Sequence, residues 1–123
     1  MLREALFAKI HHATVTFCDE NYVGSITIDA DLLDACGMRP NEKVLVADCT
    51  SGARFETYIF KGKKGSGAIE INGAAAHLVE PGDPVIIMHY ALMTDKEYKK
   101  HKPKVLIIGP NNSVKDVLTY GNK

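Results

Sequence analysis

No sign of charge dominates this chain of 123 residues: lysine plus arginine equals aspartate plus glutamate, 15 each, and the net charge is zero. That excludes a global basic field able to hold a nucleic-acid backbone or an anionic membrane, while leaving room for a local basic pocket for a small anion. Cysteine is sparse and odd in number. Cys18, Cys36 and Cys49 show no C-x-x-C spacing, which argues against an extracellular disulfide framework and for buried or incidental thiols in a reducing compartment. Long apolar runs are missing at the N-terminus, where Arg3, Glu4, Lys9, His11 and His12 intervene before a signal-peptide core or membrane span is reached. A cytoplasmic protein is expected. The phosphate-loop pattern G-x-x-x-x-G-K-[ST] and the hydrolase pattern G-x-S-x-G are absent too. On a regular strand His11 and His12 point to opposite faces, and no third ligand stands at a recognisable spacing, so no metal site is expected.

What is present reads as one domain spanning residues 1–123, long enough for a core without metal or disulfide staples. Residues 2–17 are ambiguous. Leu2, Ala5, Leu6 and Ile10 suit a helix, whereas Ala13 to Phe17 alternates and is β-branched. Strands are predicted at 26–28, 43–47, 54–60, 68–71, 84–93 and 105–108. A short helix is predicted from Ala30 to Cys36, capped by Asp29 and ended by Gly37. Within 54–60 the period of two puts Arg54, Glu56, Tyr58 and Phe60 on one face and Phe55, Thr57 and Ile59 on the other. Residues 94–102 are charged and surface-like, with room for one or two helical turns. From Pro110 onward the chain reads as a loose tail or a subunit-contact arm. Many short strands, regular turns and little helix predict a mainly β fold, a small closed barrel.

Four short motifs carry chemistry. Lys9-Ile-His11 places a cation and an imidazole on one strand face. Tyr22-Val-Gly24-Ser25 puts a hydroxyl directly after a residue with no Cβ, where a side-chain oxygen can attack the preceding carbonyl. Arg54-Phe-Glu-Thr57-Tyr58 offers a planar cation and a phenol. Asn72-Gly73-Ala74-Ala75-Ala76-His77 leaves backbone bare for close packing or for a ligand. Singly, each has a bland alternative: a solvated turn, a surface charge, a packed aromatic, a tight helix contact. The second Gly-Ser pair, Gly65-Ser66, keeps that alternative because a lysine-rich hairpin surrounds it.

Taken in order and spacing, these motifs resemble the pyruvoyl-dependent aspartate 1-decarboxylases, with Asp29-Ala-Asp31-Leu-Leu-Asp34 and Pro81-Gly82-Asp83 adding to the likeness from about Met1 to Met93. The resemblance implies a double-psi β-barrel with short helices, assembled as a homotetramer with sites between subunits. It implies autocatalytic cleavage of a zymogen between Gly24 and Ser25, giving a small chain 1–24 and a large chain 25–123. It also implies a pyruvoyl group made from Ser25, with no metal and no pyridoxal phosphate. That group forms a Schiff base with L-aspartate, which loses CO2 to give β-alanine for pantothenate and coenzyme A.

By the same resemblance Tyr58 is the proton donor, a phenol being protonated at neutral pH as a general acid must be. Arg54 holds a substrate carboxylate and Lys9 adds positive charge. Thr57, Gly73, Ala74 and Ala75 contact substrate, while His11, Tyr22 and Asn72 line the site. His12 stands where many relatives carry arginine, and some relatives need a maturation partner. Two competing assignments are a non-catalytic double-psi barrel that binds a ligand or partner, and a pyruvoyl decarboxylase of another small acidic amino acid.

Overall fold

The computed structural model describes residues 1–121; Asn122 and Lys123, the last two of the expected domain and tail, lie outside them. Among the described residues, nine strands form one sheet in the order β2-β6-β3-β5-β4-β7-β1-β8-β9. They are β1 (Leu2–Thr14), β2 (Phe17–Asp19), β3 (Ser25–Asp29), β4 (Lys43–Asp48), β5 (Arg54–Gly62), β6 (Ile69–Asn72), β7 (Pro84–Thr94), β8 (Lys104–Ile108) and β9 (Val114–Thr119). Helix among the described residues is confined to α1 (Ala30–Cys36), α2 (Asp95–Lys100) and the 3-10 turns Gly73–Leu78 and Pro110–Asn112. The fold is mainly β, in line with the strand patterns. No helix among the described residues is long and apolar enough to cross a membrane.

The N-terminal ambiguity resolves as strand. β1 pairs antiparallel with β7 along its length and parallel with β8 over Ala8–His11, where its backbone groups are satisfied on both sides. The helical spacing of its first residues is overridden by that pairing. β1 and β2 form one extended segment interrupted at Val15-Thr16. There the Val15 N–H donates to the Asp83 carbonyl, and the Thr16 N–H donates to the Ile69 carbonyl at 2.8 Å. Thr16 Oγ1 donates to that same carbonyl and accepts from the Ile69 N–H.

Strand pairing does not close the expected barrel, because the ladder ends at β2 and at β9. The interruption passes the segment from β7 to β6 through a few local bonds rather than a continued ladder. Inside, Ile10, Ile26, Ile28, Val46, Ile59, Ile69, Ile71 and Ile87 are fully buried and form the centre of the core. At about 25 cal/mol per Å2 of apolar surface, burying each such isoleucine is worth about 1.5–3 kcal/mol.

α1 is held at both ends. Asp29 accepts the Asp31 N–H at 2.8 Å as N-cap, and Gly37, at φ 85°, ends the helix by donating its N–H to the Leu33 carbonyl. The Asp29 carboxylate also takes N–H groups from Gly65 (3.0 Å) and Gly67 (2.8 Å), tying the lysine-rich turn to the helix start. α2 opens on a capping box between Thr94 and Glu97.

The tail departs from expectation. Instead of hanging loose, residues 114–119 pair antiparallel with β8, and the Tyr120 N–H donates to the Pro103 carbonyl. All six β9 side chains are exposed, so the strand is made by backbone bonding and leaves no apolar alternation in the sequence. The three cysteines are free thiols: Cys18 is half-buried, Cys36 buried and Cys49 exposed.

Candidate active site

Strand register brings a set of polar side chains to one face. In the parallel β3–β5 pair Ile26 lies beside Ile59 and Thr27 beside Phe60; in the antiparallel β3–β6 pair Ser25 faces Asn72 and Thr27 faces Glu70. Because side chains alternate, Ser25, Thr27, Phe60, Glu70 and Asn72 share the outer face while the isoleucines fill the core. Tyr58, two residues before Phe60, joins them on that face. The period predicted for β5 holds: Arg54, Glu56, Tyr58 and Phe60 are exposed, and Phe55, Thr57 and Ile59 turn inward to differing depths. Thr57 is therefore on the opposite face from Tyr58, half-buried toward the core.

Ser25 is almost fully covered, at 3% exposure. The Asn72 side-chain amide donates one N–H to Ser25 Oγ at 3.0 Å and the other to Thr27 Oγ1 at 3.1 Å. Ahead of Ser25 the chain turns at Asp19, whose carbonyl accepts the Tyr22 N–H (3.3 Å) and whose carboxylate accepts the Asn21 N–H (3.1 Å). Gly24 then passes directly over Gly73. A Cβ on Gly73 would stand 2.7 Å from Gly24 Cα, and Gly73 itself has φ 77°. No L side chain fits that crossing without moving backbone. Ala74, exposed, and Ala75, half-buried, follow in the 3-10 turn and keep the surface beside Gly24 low.

On the same face, reaching the Ser25 centre through Thr27 and Asn72, lies a cleft of about 430 Å3 bordered by these two with Tyr22 and Phe60, with Lys61 and Lys63 as cations and Asp19 and Glu70 as anions. The Tyr22 and Phe60 rings lie 6.5 Å apart at its rim. Phe17, Tyr22, Val23, Tyr58 and Phe60 are all at least two-fifths exposed, an unusually apolar surround for a polar centre.

The remaining sequence-derived candidates lie elsewhere in the chain. Lys9 and His11 are on β1, four places from β3 in the strand order. Arg54, at the start of β5, is exposed and forms no ion pair with another described residue. Lys9 Nζ sits 5.7 Å from the centre of the Tyr120 ring. The expected separation of His11 and His12 is corrected. A register shift between His11 and Ala13, with His12 at φ 61°, swings the two rings into a stack 4.1 Å apart. His11 Nδ1 is buried without a hydrogen-bond partner among the described residues. Burial, then the neighbouring His12 and Lys9, pushes the His11 pKa below the usual imidazole value. Among the described residues no three histidine, cysteine or acidic side chains gather as metal ligands.

A buried serine directly after a glycine, with an amide donating to its hydroxyl, is the centre of this face, and the chain as a whole can be compared with known proteins. The family model described as aspartate decarboxylase matches residues 1–115. The chain belongs to that family. It is 53% identical over 120 residues to the aspartate 1-decarboxylase of Neisseria meningitidis serogroup C, covering 98% of this chain and 94% of that one. To the aspartate 1-decarboxylase of Caldicellulosiruptor saccharolyticus it is 56% identical over 114 residues, 93% of this chain and 89% of that one. To that of Bacillus subtilis it is 53% identical over 118 residues, 96% and 93% of the two chains. The family resemblance drawn from the motifs is thus established across almost the whole chain, well past Met93.

Within this family member, one chain gathers Tyr22, Gly24, Ser25, Asn72 and Gly73, with Tyr58 alongside, and does not gather Lys9, His11 or Arg54 with them. Sequence reasoning passed over Thr27, the second acceptor of the Asn72 amide. The available signal was its place two residues after Ser25 on a strand, which puts both hydroxyls on one face.

Proposed function

We propose that this chain is a self-processing, pyruvoyl-dependent aspartate 1-decarboxylase, converting L-aspartate to β-alanine and CO2 for pantothenate and coenzyme A biosynthesis. The observation that carries the proposal is the buried Ser25 directly after Gly24, with Asn72 Nδ2 3.0 Å from its Oγ. In the maturation step Ser25 Oγ bonds to the Gly24 carbonyl carbon, the C–N bond breaks, and the Oγ proton is balanced by one gained at nitrogen, giving an ester and an amine. Loss of the Ser25 α-proton with cleavage of Cβ–Oγ frees the Gly24 carboxylate and leaves dehydroalanine, which takes up water and releases ammonia. Chains 1–24 and 25–123 result. Only a residue with a leaving group on Cβ supports this sequence of bonds.

The residues present fit a pyruvoyl group. Gly73 leaves no side-chain bulk against position 24, and the Asn72 amide already points at position 25. That group supplies an electron sink for the pair left when CO2 departs. Tyr58, exposed on the same face as Ser25, delivers a proton to the substrate α-carbon. Gly73, Ala74 and Ala75 let substrate approach the backbone. Tyr22 and Asn72 border its cleft.

Lys9, His11, Arg54 and Thr57 enter the site through assembly: copies of the chain pack as a homotetramer in the cytoplasm, and neighbours supply the substrate's carboxylate partners. The exposed aromatic surround of Ser25 supports such covering, as does the distance of β1 from β3 in the ladder. A double-psi β-barrel with short helices is supported by the segment 2–19, which pairs with β7 through β1 and with β6 through β2.

Intact-mass analysis of the purified protein under denaturing conditions tests the proposal. Two species, the smaller ending at Gly24, are expected; a chain that stays whole on prolonged incubation, alone and with a cell extract to supply any maturation partner, refutes it. Faster turnover of glutamate than aspartate would refute the substrate.

A further inference from the structure

The Asn72 amide holds more than Ser25. Its two hydrogens diverge in one plane, and the structure spends both, one on Ser25 Oγ and one on Thr27 Oγ1, at 3.0 and 3.1 Å. All three side chains are buried, at 3% (Ser25), 8% (Thr27) and 5% (Asn72) exposure. Ser25 and Thr27 are neighbours on one face of β3, and Asn72 stands directly across from Ser25 on β6. A single N–H···O contact leaves an amide free to rotate about its side-chain bonds; two acceptors two residues apart on a rigid strand do not. Thr27 is also stiff at χ1 because it is β-branched, so its oxygen is a well-fixed anchor.

We infer that Thr27 is a positioning residue for the maturation step: its hydroxyl orients the Asn72 amide so that the other N–H is aimed at Ser25 Oγ. This rests on the self-cleavage proposed above. A donor at Oγ stabilises that oxygen at the two points where it carries negative charge, as it gives up its proton and again as it leaves Cβ with the Gly24 carboxylate, and a fixed donor there is worth more than one that must first be turned into place. With both amide hydrogens committed, Ser25 Oγ acts as acceptor toward Asn72 and keeps its own hydrogen available for transfer. When Oγ has left with the Gly24 carboxylate, the Thr27 bond keeps the amide facing position 25. Thr27 bonds neither the scissile peptide nor a substrate in this account; it acts only through Asn72.

Thr27→Val keeps the shape and removes the hydroxyl, whereas Thr27→Ser keeps the hydroxyl and removes the methyl. The appearance of the 1–24 fragment is followed by intact-mass spectrometry in freshly purified protein, and thermal unfolding is measured for the same substitutions in a Ser25→Ala background. Cleavage of Thr27→Val is expected to slow about tenfold or more, in line with the sensitivity of such steps to small misplacements. Thr27→Ser should cleave at close to the parent rate. Cleavage of Thr27→Val at the parent rate overturns the inference, as does Thr27→Ser slowing as much as Thr27→Val, which would make the methyl's packing responsible. If the valine variant does not fold, Thr27→Ala is judged by the same two criteria. Failure of the parent chain to cleave at all would instead sink the self-processing proposal, a distinguishable result.

Discussion

Gly73→Ala tests the crossing of two backbones on which the site depends. The added Cβ would lie 2.7 Å from Gly24 Cα, 3.1 Å from Gly24 N and 3.4 Å from the Tyr22 carbonyl oxygen, and the left-handed φ of 77° would remain. The conformation alone costs a residue with a Cβ about 1–2 kcal/mol, and forcing an extra methyl into packed backbone costs about 1–3 kcal/mol more. If the native crossing is kept, the total of about 2–5 kcal/mol lowers the melting temperature by about 8–20 °C in a chain of this size. If the strain is relieved by lifting Gly24, less stability is lost, but the scissile carbonyl moves relative to Ser25 Oγ. A displacement of about 1 Å is then enough to slow the reaction about 100-fold. Melting is best measured in a Ser25→Ala background, where the chain is uncut, and cleavage by intact mass with Ser25 present. Wild-type values in both assays would refute the steric argument.

Three further outcomes follow from the same geometry. Ser25→Ala should stay a single chain, fold, and show no decarboxylation, checked by intact mass, circular dichroism and CO2 release. Tyr58→Phe should still cleave, because the phenol does not touch Ser25 Oγ, but turnover should fall about 100-fold or more, the usual worth of a general acid. Burial alone would raise the Asp29 pKa, but N–H donation from Asp31, Gly67 and Gly65, with help from Lys64, holds it below the ordinary carboxylate value. Its contribution is complete above the unfolded value of about 3.9 and is lost as pH falls through the folded value. Asp29→Asn keeps the cap but sets an amide NH2 against the Gly67 N–H, so it should cost about 1–3 kcal/mol near neutral pH and flatten the acid limb of a urea-melt series taken below about pH 4.

Elements with a local physical cause were legible in the chain. The alternation through β5 put Arg54 and Tyr58 on the outer face, and Asp29 with Gly37 bounded α1, because capping and pleat are set by neighbours in sequence. Elements set by distant pairing were not. The first half of β1 carries helical spacing and becomes strand because it pairs with β7. β9 has no buried side chain to announce it. His12 turns at a bulge that pairing with β7 imposes, which undid the assumption that His11 and His12 face apart. At the site, Ser25, Tyr58 and Asn72 could be nominated from motifs. The link from Asn72 to Thr27 depends on the register of β3 against β6, which is a tertiary quantity.

The segment ahead of Gly24 is built into the sheet: β1 lies between β7 and β8, and β2 forms the edge along β6. The proposed cut after Gly24 would therefore change the molecularity of folding. The uncut chain reaches its native state in a first-order process, with every strand tethered to the next. Once the bond is broken, a melted molecule must recapture a separate peptide of 24 residues that supplies a flanked strand, a second-order event that dilution suppresses. On the proposed processing, the cut product would persist for as long as its barrier to unfolding holds the two chains together, a kinetic rather than an equilibrium stability.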